Sequence, residues 1–241
     1  MIKKLFILFA FCLTTNLFSA QGNSRTPGLV ACWHMNEGTG TTTKDATQNG
    51  NNGTLVNGPT WVDGKFGKCL SFDGVNDYVN CGNNGSLNPT DAITIVAWVK
   101  YNSVSGCQEI VRKELSYAFG IGWTAKKFRF WIYNGSWVNS GDSITSAEVG
   151  KWYYVVGTYD KNGGTNNLKL YVNQNLEAQS TQTGRISTNT NSVWIGNSSG
   201  SISEPHNGLI DEVQIYNRAL SPAEIKKIYN DGIGRHTNGG E

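Results

Sequence analysis

The chain has 241 residues, with 20 Lys and Arg against 18 Asp and Glu for a formal net charge of +2, and it contains 29 Gly. So balanced a charge, with no basic block, excludes a nucleic-acid footprint, and no apolar run is long enough for a membrane span. Gly, Asn, Thr and Ser fill the gaps between short apolar runs, a composition that predicts many strands joined by turns, not long helices.

Met1–Ala20 begins with Lys3 and Lys4 and continues as the apolar run Leu5–Leu13. That run is too short to cross a bilayer and is placed like an export signal, with small residues offering a cut after Ala20 or Gly22. Cys12 lacks the small residues that precede a lipidated Cys, so it is read as part of the signal. The expectation is a secreted or surface-displayed protein with one domain over residues 21–232 and a disordered tail over 233–241. Roughly 220 residues suffice for one sandwich burying ~70–75% of the unfolded surface. Cys32, Cys69, Cys81 and Cys107 remain after the signal, and an even count in an exported chain predicts two disulfides with three possible pairings. Cys32–Cys69 with Cys81–Cys107 is the favoured pairing. A zinc site would want Cys-x-x-Cys spacing or a nearby His, and neither supports it.

The first predicted strand is Leu29–Met35, followed by a Gly-, Thr- and Asn-rich loop over Asn36–Gly53. Cys69–Asp73 and Tyr78–Cys81 flank a turn at Gly74. Ile93–Tyr101 is apolar on both faces, with Ile93, Ile95, Ala97 and Val99 opposite Val96 and Trp98. Ile110–Lys113, Tyr117–Gly122 and Lys127–Tyr133 form a meander; Trp152–Tyr159, Leu168–Val172, Leu176–Gln179, Ser192–Gly196 and Leu209–Tyr216 follow. In the last of these, strict alternation puts Asp211 on one face with Leu209, Val213 and Ile215, where a lone carboxylate needs a partner. Ile210, Glu212, Gln214 and Tyr216 take the other face. A short helix closes the chain, with Ser221 as N-cap, Pro222 at the first helical position, Glu224 completing a capping box and Gly232 as the stop. A dozen strands without βαβ alternation imply an all-β, antiparallel two-sheet sandwich with one C-terminal helix.

Six phrases carry a resemblance: Cys32-Trp-His-Met-Asn-Glu-Gly-Thr-Gly40, Asp45-Ala-Thr-Gln-Asn-Gly-Asn-Asn-Gly-Thr-Leu55, Leu70-Ser-Phe-Asp-Gly-Val-Asn-Asp-Tyr-Val79, Ile93-Thr-Ile-Val-Ala-Trp-Val-Lys100, Gly150-Lys-Trp-Tyr-Tyr-Val-Val-Gly-Thr-Tyr159 and Ile210-Asp-Glu-Val-Gln-Ile-Tyr-Asn-Arg-Ala-Leu-Ser221. In this order they resemble the laminin-G-like, concanavalin A-like jelly-roll domains of secreted bacterial proteins, over about Leu29 to Gly232. The resemblance implies a carbohydrate-binding or adhesion module; such a fold hosts many functions and does not fix one. It also implies that the first and last strands lie side by side. That would gather Asn36, Glu37 and Asp211 as ligands of a structural calcium ion, with Asp45 and Asp73 as further oxygen donors. The alternative is that Asp73 and Asp77 cap a turn while Asp211 bonds to backbone or a Trp.

Catalysis finds little footing. Glycosidases on this sandwich place paired carboxylates on one strand face in a Glu-x-Asp-x-x-Glu run, which is absent. Asp211 and Glu212 are adjacent and diverge, and Glu109 and Glu114 also diverge if one strand spans both. The motifs of alginate lyases are missing, and His34, His206 and His236 are scattered without a nucleophile elbow. Ligand binding fits better, since sugars stack apolar faces on aromatic rings and pair hydroxyls with amides and carboxylates. Trp33, Trp98 and Trp152 fall in core strands. Trp123, Trp131, Tyr133 and Trp137 crowd one meander, interleaved with Asn134, Asn139 and Asp142. Alternation in Phe128–Tyr133 sends Phe128, Phe130 and Ile132 inward and Arg129, Trp131 and Tyr133 outward, and large outward aromatics mark binding surfaces. A second aromatic layer under a covering loop is the competing reading, and Trp61 is a weaker candidate. The function expected is a secreted, non-catalytic carbohydrate-binding or adhesion module with a structural calcium ion and a carbohydrate as its partner. A glycan hydrolase or lyase using Glu109 with Glu114, or a protein-interaction domain, stands as the alternative.

Overall fold

The computed structural model describes residues 26–122, 126–200 and 204–237, with side chains in the closing helix described through Gly232. The expected export signal, Trp123 and the final residues 238–241 lie outside the described residues. Sixteen strands build the fold: β1 (Leu29–Trp33), β2 (Thr42–Thr43), β3 (Gly53–Val56), β4 (Thr60–Asp63), β5 (Lys68–Asp73), β6 (Tyr78–Asn80), β7 (Ala92–Tyr101), β8 (Gln108–Lys113), β9 (Tyr117–Ile121), β10 (Phe128–Tyr133), β11 (Trp137–Asn139), β12 (Trp152–Asp160), β13 (Leu168–Val172), β14 (Asn175–Ser180), β15 (Val193–Ile195) and β16 (Asn207–Tyr216). Among the described residues one α-helix, α1 (Pro222–Thr237), follows them, and a single 3-10 turn, Gly85–Leu87, lies between β6 and β7.

The strands form two antiparallel sheets of eight. Sheet I runs β14-β13-β12-β7-β16-β5-β4, with β1 also pairing to β16; sheet II runs β11-β10-β9-β8-β15-β6-β3-β2. The expected sandwich is therefore observed, with β1 beside β16. Between the sheets lies one core: Ile93, Ile95, Ala97 and Val99 from β7 and Val155 and Tyr159 from β12 meet Phe119, Phe128, Phe130 and Ile132 from sheet II. Period-two alternation thus holds in β7 and β10 as read. Gly157 of β12 has a specific reason to lack a side chain, because a Cβ there would stand 2.2 Å from the Phe130 ring.

The outer face of sheet I is apolar too, and α1 covers it. Val96, Trp98, Tyr154, Tyr171 and Tyr216 pack with Leu220 and Ile225, and Trp98 stacks on Tyr229 at 5.3 Å. The capping box forms as read: Glu224 N donates to Ser221 Oγ at 3.3 Å and Ser221 N to Glu224 Oε2 at 2.8 Å. The stop does not. α1 continues through Gly232 to Thr237, so part of the expected tail is helical. Gly232 instead permits close approach, since a Cβ would sit 3.0 Å from the Phe66 ring.

Two further readings are corrected. In β16 a bulge lies between Asp211 and Gln214, with Glu212 in the left-handed region at φ 52°. Two residues there oppose one partner, which resets the alternation. Ile210, Val213 and Ile215 face the core, while Asp211 pairs with Trp98 and Gln214 with Val96 on the outer face. Asp211 therefore shares no face with Val213 and Ile215. The disulfides are not formed either: Cys32, Cys69, Cys81 and Cys107 are free thiols. Cys107 precedes β8, whereas Cys81 N bonds Val193, whose partner Lys113 ends β8. The length of a six-residue strand, ~20 Å, separates them, far beyond the ~7 Å limit of a disulfide. Cys32 turns toward His34, with Sγ 3.6 Å from Nε2, and Cys69 toward the Asp63 carbonyl at 3.8 Å.

Candidate functional site

The outward face of sheet II is built by pairing register. Trp131 opposes Asn139 on one side and Ala118 on the other. Ala118 opposes Arg112, Arg112 opposes Trp194, Trp194 opposes Asn80, and Asn80 opposes Thr54. One row therefore crosses the sheet as Asn139-Trp131-Ala118-Arg112-Trp194-Asn80-Thr54. Its members point away from the core because their neighbours point in: Phe130 and Ile132 flank Trp131, and Val193 and Ile195 flank Trp194, all in the core cluster. Trp131, Trp194, Asn80 and Asn139 are half-buried. Aromatic surfaces thus alternate with amide and guanidinium donors along one line.

The next row adds to one end of this line. Tyr133 opposes Trp137, and their rings meet edge to face at 5.4 Å. Trp137 reaches back over the sheet, so that its ring lies 5.0 Å from the Arg112 guanidinium. At the other end Tyr78 stacks on Trp194 at 3.8 Å. Between the two aromatic groups Ala118 and Gly120 on β9 are buried; a Cβ on Gly120 would meet the Gln108 carbonyl at 2.3 Å and Glu109 Oε2 at 3.0 Å.

A bulge in β8 fixes the centre. The register shifts between Glu109 and Val111, so Ile110 and Val111 both face the core and Glu109 turns outward beside Arg112. One strand does not span Glu109 and Glu114, since β8 ends at Lys113, so the condition for their divergence is not met. Arg112 bonds Glu109 at 2.7 Å, Glu114 at 2.8 Å and Glu204 at 2.8 Å. Burial pushes the Glu109 carboxyl up to about 8, although Arg112 beside it pulls the other way; its Oε2 is buried without a hydrogen-bond partner. Glu109 is only 3% exposed, and all three carboxylates aim at one guanidinium. Chemically this is a fixed base for Trp137 with a local excess of carboxylate. The bulge is what sequence alternation could not see, and Trp194, Asn80 and Arg112 were missed because their strands carry no aromatic run.

The residues singled out from sequence for ligand binding sit as follows. Trp131, Tyr133, Trp137 and Asn139 share the outward face just described. Asn139 Oδ1 accepts from Gly141 N at 2.9 Å. Asn134 lies at the edge and donates to the Thr183 carbonyl at 2.6 Å. Asp142 is paired with Arg129, whose Nη2 donates to Oδ2 at 3.0 Å, and this contact holds the Asp142 carboxyl below its usual range. Trp61 is engaged elsewhere, donating its Nε1–H to the Gly40 carbonyl at 2.9 Å.

The five residues considered for calcium do not gather around one point: each accepts backbone N–H hydrogen bonds from its own set of amides, and only Glu37 Oε2 and Asp211 Oδ1 among their carboxylate oxygens are buried without a partner. Asn36 Oδ1 accepts Lys68 N at 2.8 Å and Glu37 Oε1 accepts Lys44 N at 2.8 Å. Asp45 takes Cys32 N and Thr47 N on one oxygen and Asn51 N on the other, and Asp73 takes Val75 N at 2.8 Å. Asp211 Oδ2 accepts Lys65 N at 2.9 Å and Phe66 N at 3.0 Å. Asn36 and Asp211 thus latch the Gly64–Lys68 turn from two sides. Among the described residues no group of three or more His, Cys, Asp or Glu side chains is placed to hold a metal.

Two face-to-face antiparallel sheets with an outward-facing aromatic surface define a concanavalin A-like β-sandwich. The chain belongs to the concanavalin A-like lectin/glucanases superfamily, whose family model matches residues 73–226. No curated protein matches it in sequence. Among solved structures it resembles domain 4 of AbnA, an extracellular arabinanase of Geobacillus stearothermophilus in complex with arabinotriose, at 20% identity and a TM-score of 0.68, covering 83% of this chain and 98% of that one. It also resembles the binding domain of Paraclostridial Mosquitocidal Protein 1 at 17% identity and a TM-score of 0.67, covering 85% of this chain and 52% of that one. Trypanosoma rangeli sialidase in complex with sialic acid matches at 18% identity and a TM-score of 0.59, covering 84% of this chain and 32% of that one. The chain thus spans about half of the toxin domain and a third of the sialidase. At such identities the likeness is one of fold.

Proposed function

We propose that this protein is an exported, non-catalytic carbohydrate-binding module that holds a glycan on the outward face of sheet II. The observation that carries the reading is the cross-strand row, with Trp131 and Asn139 in register and Trp137 folded over Arg112 beside them. Aromatic rings offer apolar platforms with polar groups at their rims, the pairing that a sugar ring needs. The arabinotriose and sialic acid complexes of fold neighbours support the ligand class. No metal enters the reading.

A glycan array followed by calorimetry tests it. Binding to at least one polysaccharide is expected, with about a tenfold or greater loss on Trp131→Ala or Trp137→Ala, in line with the weight of buried aromatics at binding sites. Absence of binding across the panel, by a folded protein, would overturn it. One observation favours a second reading: the β8 bulge brings Glu109 and Glu114 to one guanidinium, so a hydrolase is testable by product release. Because these carboxylates are engaged with Arg112, unchanged glycans under saturating protein are expected.

A further inference from the structure

We propose that the site takes a linear, uncharged oligosaccharide laid across the strands, with Trp194 as a second stacking platform. This rests on the carbohydrate-binding reading above and names its ligand class. Trp131 and Trp194 belong to the same register row and are separated by β9 and β8. Three strand spacings amount to ~14 Å, more than one sugar ring covers, so a single monosaccharide reaches one platform and a chain reaches both. Between them Ala118 is buried and the Trp137 ring lies 5.0 Å from the Arg112 guanidinium, so a chain running from Trp131 to Trp194 passes over Trp137. Trp194 is held by its stack on Tyr78 and flanked in register by Arg112 and Asn80, which gives it the same aromatic-plus-donor setting as Trp131 beside Asn139. The direction of the chain follows: perpendicular to the strands, along the row. Its charge follows from the centre of the path. Glu109, Glu114 and Glu204 share the single guanidinium of Arg112, while Arg129 is occupied by Asp142. Even with Glu109 kept protonated by burial, Glu114 and Glu204 outnumber the one guanidinium, and the surplus negative charge opposes uronic and sialic acid units.

Calorimetric titration with arabino-, xylo- and cello-oligosaccharides of increasing length tests this, with oligogalacturonates as the anionic comparison. In the series that binds, affinity is expected to rise about tenfold between a disaccharide and a chain long enough for both platforms, which is ~1.4 kcal/mol. Trp131→Ala should weaken every length, whereas Trp194→Ala should flatten the length dependence. Asn80→Ala, a milder change in the same row, should flatten it in part, and thermal melts verify that each variant is folded. A length-independent affinity, or a loss on Trp194→Ala that is equal at all lengths, would overturn the second platform while leaving the carbohydrate-binding reading intact. Tighter binding of oligogalacturonates than of the uncharged chains would overturn the charge assignment. Binding by none of the series overturns this proposal, and the array then decides the broader reading separately.

Discussion

Asp211→Ala separates a backbone latch from a metal ligand. The carboxylate is fully buried, and its Oδ2 accepts the amides of Lys65 and Phe66 at 2.9 and 3.0 Å. Removing it strands two donors, at ~1–3 kcal/mol for each buried group; because Lys65 N is only partly buried, a loss of about 2–4 kcal/mol is expected. Burial pushes this carboxyl up to about 7 against the downward pull of those amides. Between its ordinary value and about 7, the folded chain keeps a proton that the unfolded chain has released. Stability therefore falls as pH rises through that window, by up to ~1.4 kcal/mol per pH unit. Asp211→Asn removes this slope. Glu109 slopes the same way in both proteins, so the difference between them isolates Asp211. Urea unfolding at several pH values, with and without a chelator, is the assay. A loss below ~0.5 kcal/mol on Asp211→Ala, the range of an ordinary surface change, would refute the latch. So would a stability that rises with calcium and loses that response in Asp211→Asn.

Three further outcomes are expected. Gly157→Ala should destabilise by ~1–3 kcal/mol through overpacking against Phe130, lowering Tm by several degrees in a thermal melt. His206 is buried between Tyr101 and Phe72, and burial lowers it to about 3. The unfolded chain takes up that proton first as pH falls below about 6.5, so stability is lost progressively on acidification; His206→Phe should shift acid unfolding to lower pH, read by fluorescence. Finally, protein purified without reductant and then denatured should titrate Cys32, Cys69, Cys81 and Cys107 as thiols, with none released only by reduction.

Much of the fold is legible in the sequence because its central strands are two-sided. β7 and β10 carry their face assignments in plain alternation, and α1 announces its start through Ser221, Pro222 and Glu224. β2, β3, β4 and β11 escape notice because they are short, polar or edge segments whose pairing is set by neighbours rather than by their own pattern. The two bulges are the larger gap. Each inserts one residue, and a single insertion inverts every later side chain in a strand; one bulge takes Asp211 off the face that strict alternation gives it, and the other turns Glu109 to the side where Glu114 also reaches Arg112. Half of the candidate site was visible as the crowd of Trp131, Tyr133 and Trp137. The rest, Arg112, Trp194 and Asn80, comes together only through register between strands far apart in the chain.

β16 gives the assembly of this protein an order in time. It is the last strand of the chain, yet it sits inside sheet I, bonded to β7 along one edge and to both β5 and β1 along the other. Among the described residues β1 has no other strand partner in the sheet. Until β16 arrives, the backbone of β1 therefore pairs only locally, in the bridge from Trp33 to Asp45 and the bond from Ala46 N to the Cys32 carbonyl, and sheet I cannot close before β16 inserts. Such late, long-range closure slows folding and leaves the open edges of β1, β5 and β7 exposed to other chains meanwhile. Removing the β16 segment would not trim the domain; it would leave sheet I as separate pieces.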